Sequence, residues 1–459
     1  MHRRIQIAAL LILLYRVHAS FLLHIPGISS FPYLYVITNI SSCQLNRSQN
    51  TPAAFIFHVG ISITALDFCS LLCYNDVKQN IRELCSLMND NIKTVCEKNA
   101  CTGCMACAEV CPKQAIEIRD SVSAYNAVID EAKCIDCGLC HKKCQSCTDV
   151  ALNKPESWYQ GWASDESIRM NSSSGGLAAE ISRAFIRNGG IVCSCISGNG
   201  EFRFGFAETE SEAAQFAGSK YVKSNPYGIY NRIKKLLSEE RKVLFIGLPC
   251  QAAAVRLYAG EKLSENLYTA DLICHGTPSP KLLRSFLEQS CKDPDSIDKI
   301  AFRSSTSYGI EYDGKRVLPK GAVDNYLLSF LCSLDHTENC YSCKYAQINR
   351  TGDLTLGDSW SSELPADEHK KGISLILCQT EKGRELLEMS RIELHDVDLE
   401  RAVAANDQLR APAARSDKQD KFFKAYEKGG FNHAARTVLP DKVFKQKIKA
   451  LLIRMKILH

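Results

Sequence analysis

Two cysteine runs set 33 residues apart restrict what this chain can be. Cys101-Thr-Gly-Cys104-Met-Ala-Cys107-Ala-Glu-Val-Cys111 and Cys134-Ile-Asp-Cys137-Gly-Leu-Cys140-His-Lys-Lys-Cys144 share the spacing C-x2-C-x2-C-x3-C. Iron in a cubane takes tetrahedral thiolate ligands. Three cysteines at this spacing wrap one cluster in a tight loop, and the fourth reaches across to the other. The spacing predicts one 4Fe–4S cluster on Cys101, Cys104, Cys107 and Cys144, and a second on Cys134, Cys137, Cys140 and Cys111. Disulfides would not require the repeat, and zinc has no use for a third C-x2 step. Short apolar segments at 115–118 and 127–129 complete an α+β ferredoxin module of hairpin and short helices. Proline normally follows the last cysteine of this pattern, and Gln145 stands there instead; Cys147 reads as an incidental neighbour.

The other cysteines, out of 23 in 459 residues, are mostly scattered. Thiolates in this number need a reducing compartment, which points to the cytoplasm. A net charge of +5 gives no reason to expect a nucleic-acid partner. Residues 1–87 differ from the remainder. They hold six basic residues (Arg3, Arg4, Arg16, Arg47, Lys78, Arg82) and three acids (Asp67, Asp76, Glu83), against 23% charged residues overall. The segment reads first as a mis-assigned start, with Met88 opening the working protein. A signal-like stretch with its apolar region at 5–14 and an accessory extension are the alternatives. The apolar run 53–73 is a poor membrane span, because it contains His58 and Asp67. No membrane partner is expected.

Beyond residue 165 apolar strands alternate with amphipathic helices, which predicts an α/β body with a mostly parallel sheet. Helices are expected at 177–188, 227–239, 251–258 and 280–289, and strands at 191–196, 242–247, 267–274 and 353–356. The domain plan is 88–155 for the two-cluster module, 165–260 and 261–435 for two parts of the body, and 436–459 for a basic helical tail. Cys250 follows one predicted strand and Cys274 closes another, on the rim where open α/β sheets bind ligands if the two strands are parallel neighbours. Cys340-Tyr-Ser-Cys343 adds a C-x2-C, so four thiols can meet there, or each can be a buried apolar residue. Cys193, Cys195, Cys332 and Cys378 read as core. Asn171-Ser-Ser-Ser-Gly-Gly176 opens a helix, where its hydroxyls either cap the helix or leave free amides for a phosphate. No G-x-G-x-x-G or Walker motif occurs.

Several phrases together resemble one family, the beta subunit of coenzyme F420-reducing hydrogenases and dehydrogenases. They are Ser173-Ser-Gly-Gly176, Gly218-Ser-Lys-Tyr221, Gly247-Leu-Pro-Cys-Gln251, Cys274-His-Gly276, Cys340-Tyr-Ser-Cys-Lys344 and Gly357-Asp-Ser-Trp360, with Gly372-Ile-Ser-Leu375 and Thr380-Glu-Lys-Gly383. The resemblance spans about residues 95–435. It implies FAD and a third 4Fe–4S cluster, with Cys250, Cys274, Cys340 and Cys343 as ligands. It also implies flavin contacts from Ser173, Ser174, Gly175, Gly176, Gly218, Ser219, Lys220 and Tyr221, with Lys220 bringing positive charge to the flavin. The segment 302–309 lacks an expected lysine and tryptophan, and Ser361-Ser362 replaces the usual glycine.

The sequence thus points to an iron–sulfur flavoprotein oxidoreductase, which links a redox partner protein or reduced carrier to a small two-electron donor or acceptor. The alternative is a non-catalytic electron-transfer protein of ferredoxin type that docks a partner enzyme. No catalytic acid–base pair stands out; His275 is the nearest candidate.

Overall fold

The computed structural model describes residues 92–458, apart from 199, 292, 305 and 306. The expectations for residues 1–87 lie outside the described residues. The described residues form one compact unit.

The two-cluster module repeats its backbone as well as its cysteines. Helix α1 (Ala106–Val110) and helix α2 (Leu139–Lys142) begin at equivalent positions of the two runs. Each follows a left-handed residue, Met105 at φ 63° and Gly138 at φ 68°. Between them β1 (Ile116–Asp120) and β2 (Tyr125–Ile129) pair as an antiparallel hairpin, with Ile116 opposite Ile129. The inner face of β2 packs Tyr125, Ala127 and Ile129 against Cys101, Cys107 and Cys144.

The body is built on one eight-stranded sheet. Its strands are β3 (Ser157–Ala163), β4 (Ile191–Gly198), β5 (Glu201–Ala207), β6 (Val243–Gly247), β7 (Leu267–Leu272), β11 (Leu354–Asp358), β12 (Ser374–Cys378) and β13 (Ile392–His395), in spatial order β13-β3-β12-β11-β7-β6-β4-β5. The four central neighbours β11, β7, β6 and β4 are parallel, as expected, and the flanking strands are antiparallel. Residues 157–163, which fell between two expected domains, enter this sheet between β12 and β13. Both expected parts of the body supply strands to it.

Strand β6 explains the layering. It is apolar throughout and covered on both faces, as a central parallel strand must be. Val243 and Phe245 face one layer, with α4 (Ile229–Ser238) and α5 (Pro249–Ala259). Leu244 and Ile246 face the other, with α3 (Leu177–Arg187) and α8 (Glu381–Glu388). Cys104 and Ala106 of the cysteine module join the first layer, so the module packs directly on the body.

A second core gathers α6 (Pro280–Glu288), the small antiparallel sheet of β8 (Ile300–Ser304), β9 (Ser307–Tyr312) and β10 (Lys315–Arg316), α7 (Asn325–Leu331) and α9 (Asp417–Val438). Helix α9 kinks at Gly429-Gly430, where the Gln289 amide bonds to Gly429 O and to the Asn432 N–H. Helix α10 (Pro440–Arg454) follows it.

Candidate functional site

The thiols of the module differ in exposure. Cys101, Cys104, Cys107 and Cys144 are buried, whereas Cys111, Cys134 and Cys140 are partly exposed and Cys137 is exposed. A thiolate raises the pKa of its neighbours, and most of the couplings stay within one set, although Cys140 also acts on Cys107. Burial, then Cys101 and Cys144, push the Cys104 thiol up to about 12, while burial, Cys111 and Cys134 raise Cys140. The Gly103 N–H donates to Cys101 Sγ at 3.4 Å, and the Asp136 N–H donates to Cys134 Sγ at 3.4 Å. Both donors stand at left-handed φ, 72° and 51°, in equivalent turns. Amides aimed at sulfur in this way suit thiolates that carry the negative charge of a cluster.

Two thiols beside the inner set escaped sequence reasoning or were undervalued by it. Cys96 is buried and hydrogen-bonds to Cys101 and Cys144. Its place five residues before the first run matches no ligand spacing, so only the fold reveals it. Cys147, expected to be incidental, bonds to Cys144 and to Val95 O, the latter at 3.1 Å.

The four scattered cysteines do meet. Cys250 begins α5, Cys274 follows β7, and Cys340 and Cys343 flank a short turn; all four line one cavity of about 190 Å³. Among the described residues, no three His, Cys, Asp or Glu side chains converge tightly enough for a single metal ion. The cavity holds several water volumes of about 30 Å³ each, which suits a polynuclear group standing between the thiols. Polar donors reach two of the sulfurs. The Gly276 N–H donates to Cys274 Sγ at 3.4 Å, and Asn339 Nδ2 donates to Cys340 Sγ at 3.6 Å. Gly276 is obligatory here: at φ 123°, a Cβ would lie 2.4 Å from Nδ1 of the buried His336. Of the four expected core cysteines, Cys193 and Cys378 are buried, but Cys195 and Cys332 are only half-buried, and Cys332 Sγ accepts from Lys442 Nζ at 3.1 Å.

The far wall of this cavity belongs to the cysteine module, through Thr102, Gln145 and Ser146. Gln145, the residue in place of proline, is the buried joint. Its side-chain amide donates to Thr102 Oγ at 3.1 Å, and its side-chain oxygen accepts from the Tyr345 hydroxyl at 2.6 Å. Its main-chain oxygen accepts from Lys344 Nζ at 2.5 Å. Lys223 is buried beside them and donates to Thr102 O at 3.0 Å; its charge adds to the hydrogen bond from Cys96 in lowering the Cys101 thiol, and opposes the burial that pushes the Cys250 thiol up. The Tyr230 hydroxyl ties α4 to Cys104 O. Two cations, Lys223 and Lys344, and the hydrogen bonds of Gln145 and Tyr230 therefore lie between the inner thiol set and the four-thiol cavity.

The expected flavin phrases also come together. The Ser219 N–H donates to Ser173 Oγ at 2.8 Å. The hydroxyls do not cap α3: the capping position is Gly176 at φ 82°, with no side-chain cap bond. Ser174 and Gly175 are held by Ile373 O and Ser374 Oγ, and Gly175 packs so closely that a Cβ would meet Gly161 O at 2.5 Å. Lys220 donates to the carbonyls of Phe216 and Ala217, and burial draws its pKa down to about 8. Tyr221 packs its ring on Phe330 and Tyr308. Its hydroxyl accepts from Arg303 Nη1 at 3.4 Å. Arg303 holds Asp358 bidentately at 2.7 and 2.8 Å and lies 5.9 Å from the Trp360 ring, so the segment lacking the expected lysine supplies an arginine to the same rim. His275 lines the cavity wall, and no catalytic partner is set against it among the described residues.

Residues 100–148 match the 4Fe-4S dicluster domain, and residues 240–400 match the C terminus of the coenzyme F420 hydrogenase/dehydrogenase beta subunit. The chain is 22% identical over 326 residues to one component of the F(420)H(2) dehydrogenase of Methanosarcina mazei, covering 67% of this chain and 87% of the relative. It also matches a chain of the F420-reducing NiFe hydrogenase complex from Methanosarcina barkeri, with 19% identity and a TM-score of 0.43, over 62% of this chain and 97% of that one. The chain thus joins a segment similar to the 4Fe-4S dicluster domain to a body similar to the C terminus of the coenzyme F420 hydrogenase/dehydrogenase beta subunit.

Proposed function

We propose that this chain is an oxidoreductase that carries three 4Fe–4S clusters and FAD, and passes electrons between a redox partner and a two-electron carrier or substrate. The observation that carries this reading is the convergence of Cys250, Cys274, Cys340 and Cys343 on a cavity whose far wall is the dicluster module. The clusters supply one-electron transfer, and the flavin supplies the exchange between one- and two-electron chemistry.

The chain's own residues do the rest. Cys134, Cys137, Cys140 and Cys111 would hold the outer cluster, where Cys137 and Ile135 are exposed to an incoming partner. Cys101, Cys104, Cys107 and Cys144 would hold the inner one, and the four convergent thiols the third. The uncapped amides that open α3, with Ser173 and Ser219, would take the anionic part of FAD. Arg303, fixed by Asp358 and flanked by Tyr221, Tyr308 and Trp360, gives the rim a positive, aromatic wall for a flat carrier.

Exposure of the outer thiols, together with relatives that are components of larger enzymes, favours a second reading. In it the body docks a partner enzyme and performs no turnover of its own. Anaerobic purification separates the two. Bound FAD with about twelve irons per chain, the sum of three cubanes, and reduction of a soluble two-electron carrier support the first. Protein without flavin and without carrier turnover supports the second. Replacing Cys250 and Cys343 with serine removes about four irons; unchanged iron content would reject the third ligand set.

A further inference from the structure

Helix α10 presents two apolar faces, and only one of them is used by the fold. Val443 and Ala450 are buried against the body, and Gln446 accepts from the Val323 N–H at 3.0 Å on the same side. Turned away from it are Phe444, Ile448, Leu451 and Met455, exposed at 64%, 41%, 52% and 59%. Their spacing of four, three and four residues places them within about 60° of one another around the axis, in a stripe about 16 Å long. Lys445 and Lys449 border the stripe on one side, and Lys447 and Arg454 on the other. No acidic residue occurs after Asp441.

We propose that this stripe seats the C-terminal helix in the plane of an anionic phospholipid surface. An interfacial helix has this chemistry: an apolar strip that enters the acyl boundary, with flanking lysines whose stems reach up to the headgroups. A protein interface has a different composition. Such interfaces are depleted in lysine and carry directed hydrogen bonds, whereas basic side chains between 442 and 456 are five lysines to one arginine and the stripe offers no polar side chain. A second copy of the chain would set these lysines against one another, which like-charge repulsion opposes. Among the described residues no helix is long and apolar enough to cross a membrane, so the contact is a surface one. The sequence alone gave no reason to expect such a partner, and the contact places electron transfer at a lipid boundary.

The test uses the full, anaerobically purified chain with Phe444→Trp and vesicles of phosphatidylcholine with or without phosphatidylglycerol. Val443 and Ala450 are untouched, and unchanged iron content verifies the fold. With anionic vesicles the added tryptophan shifts to the blue and is quenched by lipids brominated in their acyl chains, and added salt reverses both effects. Lys445→Gln and Lys449→Gln each weaken vesicle binding about fivefold, from roughly 1 kcal/mol per basic residue near an anionic surface. Absence of quenching overturns the proposal, as does equal binding to phosphatidylcholine alone. A tryptophan already shielded without lipid, in a particle of twice the chain mass, assigns the stripe to a second copy and overturns it too.

Discussion

Gln145→Ala is the sharpest test of how the dicluster module is held to the body. The Gln145 side chain is 2% exposed and joins Thr102 in the module to Tyr345 in the body. Truncation leaves the Tyr345 hydroxyl without its partner in a buried site, where Tyr345 itself is 2% exposed. An orphaned buried polar group costs about 1–3 kcal/mol. That cost falls on the docked state, because a module swung away from the body lets water reach the phenol. The equilibrium toward opening therefore increases about 5- to 150-fold. Limited proteolysis of the connecting segment 148–156 reads this directly, since cleavage tracks the population of the open form when reclosing is fast. Adding Tyr345→Phe to Gln145→Ala removes both partners and restores most of the resistance. An unchanged cleavage rate in Gln145→Ala, or no recovery in the double variant, refutes the reasoning.

Lys223→Met removes a buried cation between the inner thiols and the four-thiol cavity, so reduced clusters lose a stabilising charge and their midpoint potentials fall; potentiometric titration followed by electron paramagnetic resonance checks the sign. Gly276→Ala forces a methyl against His336, and should cost about four irons per chain while the other eight or so remain; iron analysis decides. Lys220 has its folded pKa at about 8, below the ordinary 10.5. Between those values the unfolded chain binds the extra proton, so stability rises with pH across that window. Lys220→Met lacks this rise, which denaturant unfolding at pH 7.5, 9 and 10.5 (roughly spanning the window) would reveal.

What the sequence disclosed depended on how local the signal was. The repeat at Cys101 and Cys134 is legible because a cubane's loop ligands lie within seven residues of each other. Helix α3 and strand β6 were equally plain, since Leu177, Ile181 and Phe185 keep helical spacing and 243–247 is a continuous apolar run. Strand β3 was not, because Ser157–Ala163 mixes aromatic, polar and glycine residues and acquires its place only between β12 and β13. Gln145 was visible as a departure from the usual proline, yet its partner Tyr345 is 200 residues away. Lys223 and Cys96 gave no signal: neither sits at a ligand spacing, and their importance comes from the groups that folding packs around them. Thiols at strand ends could be placed on one rim by topology alone; that Cys340 and Cys343 arrive there required the chain beyond α7 to turn back.

The shared wall of the four-thiol cavity also has a consequence for biosynthesis. Cys101 through Cys144 leave the ribosome early and lie close together in sequence, so their hairpin can fold and take up iron while most of the body is still being made. The other site has no complete ligand set until Cys343 emerges, about 200 residues later. By then Thr102 and Gln145 must already be in position to close it. With clusters at both sites as proposed, loading of this chain is staged, and a module that folds slowly exposes the later site to solvent and oxidants during the interval.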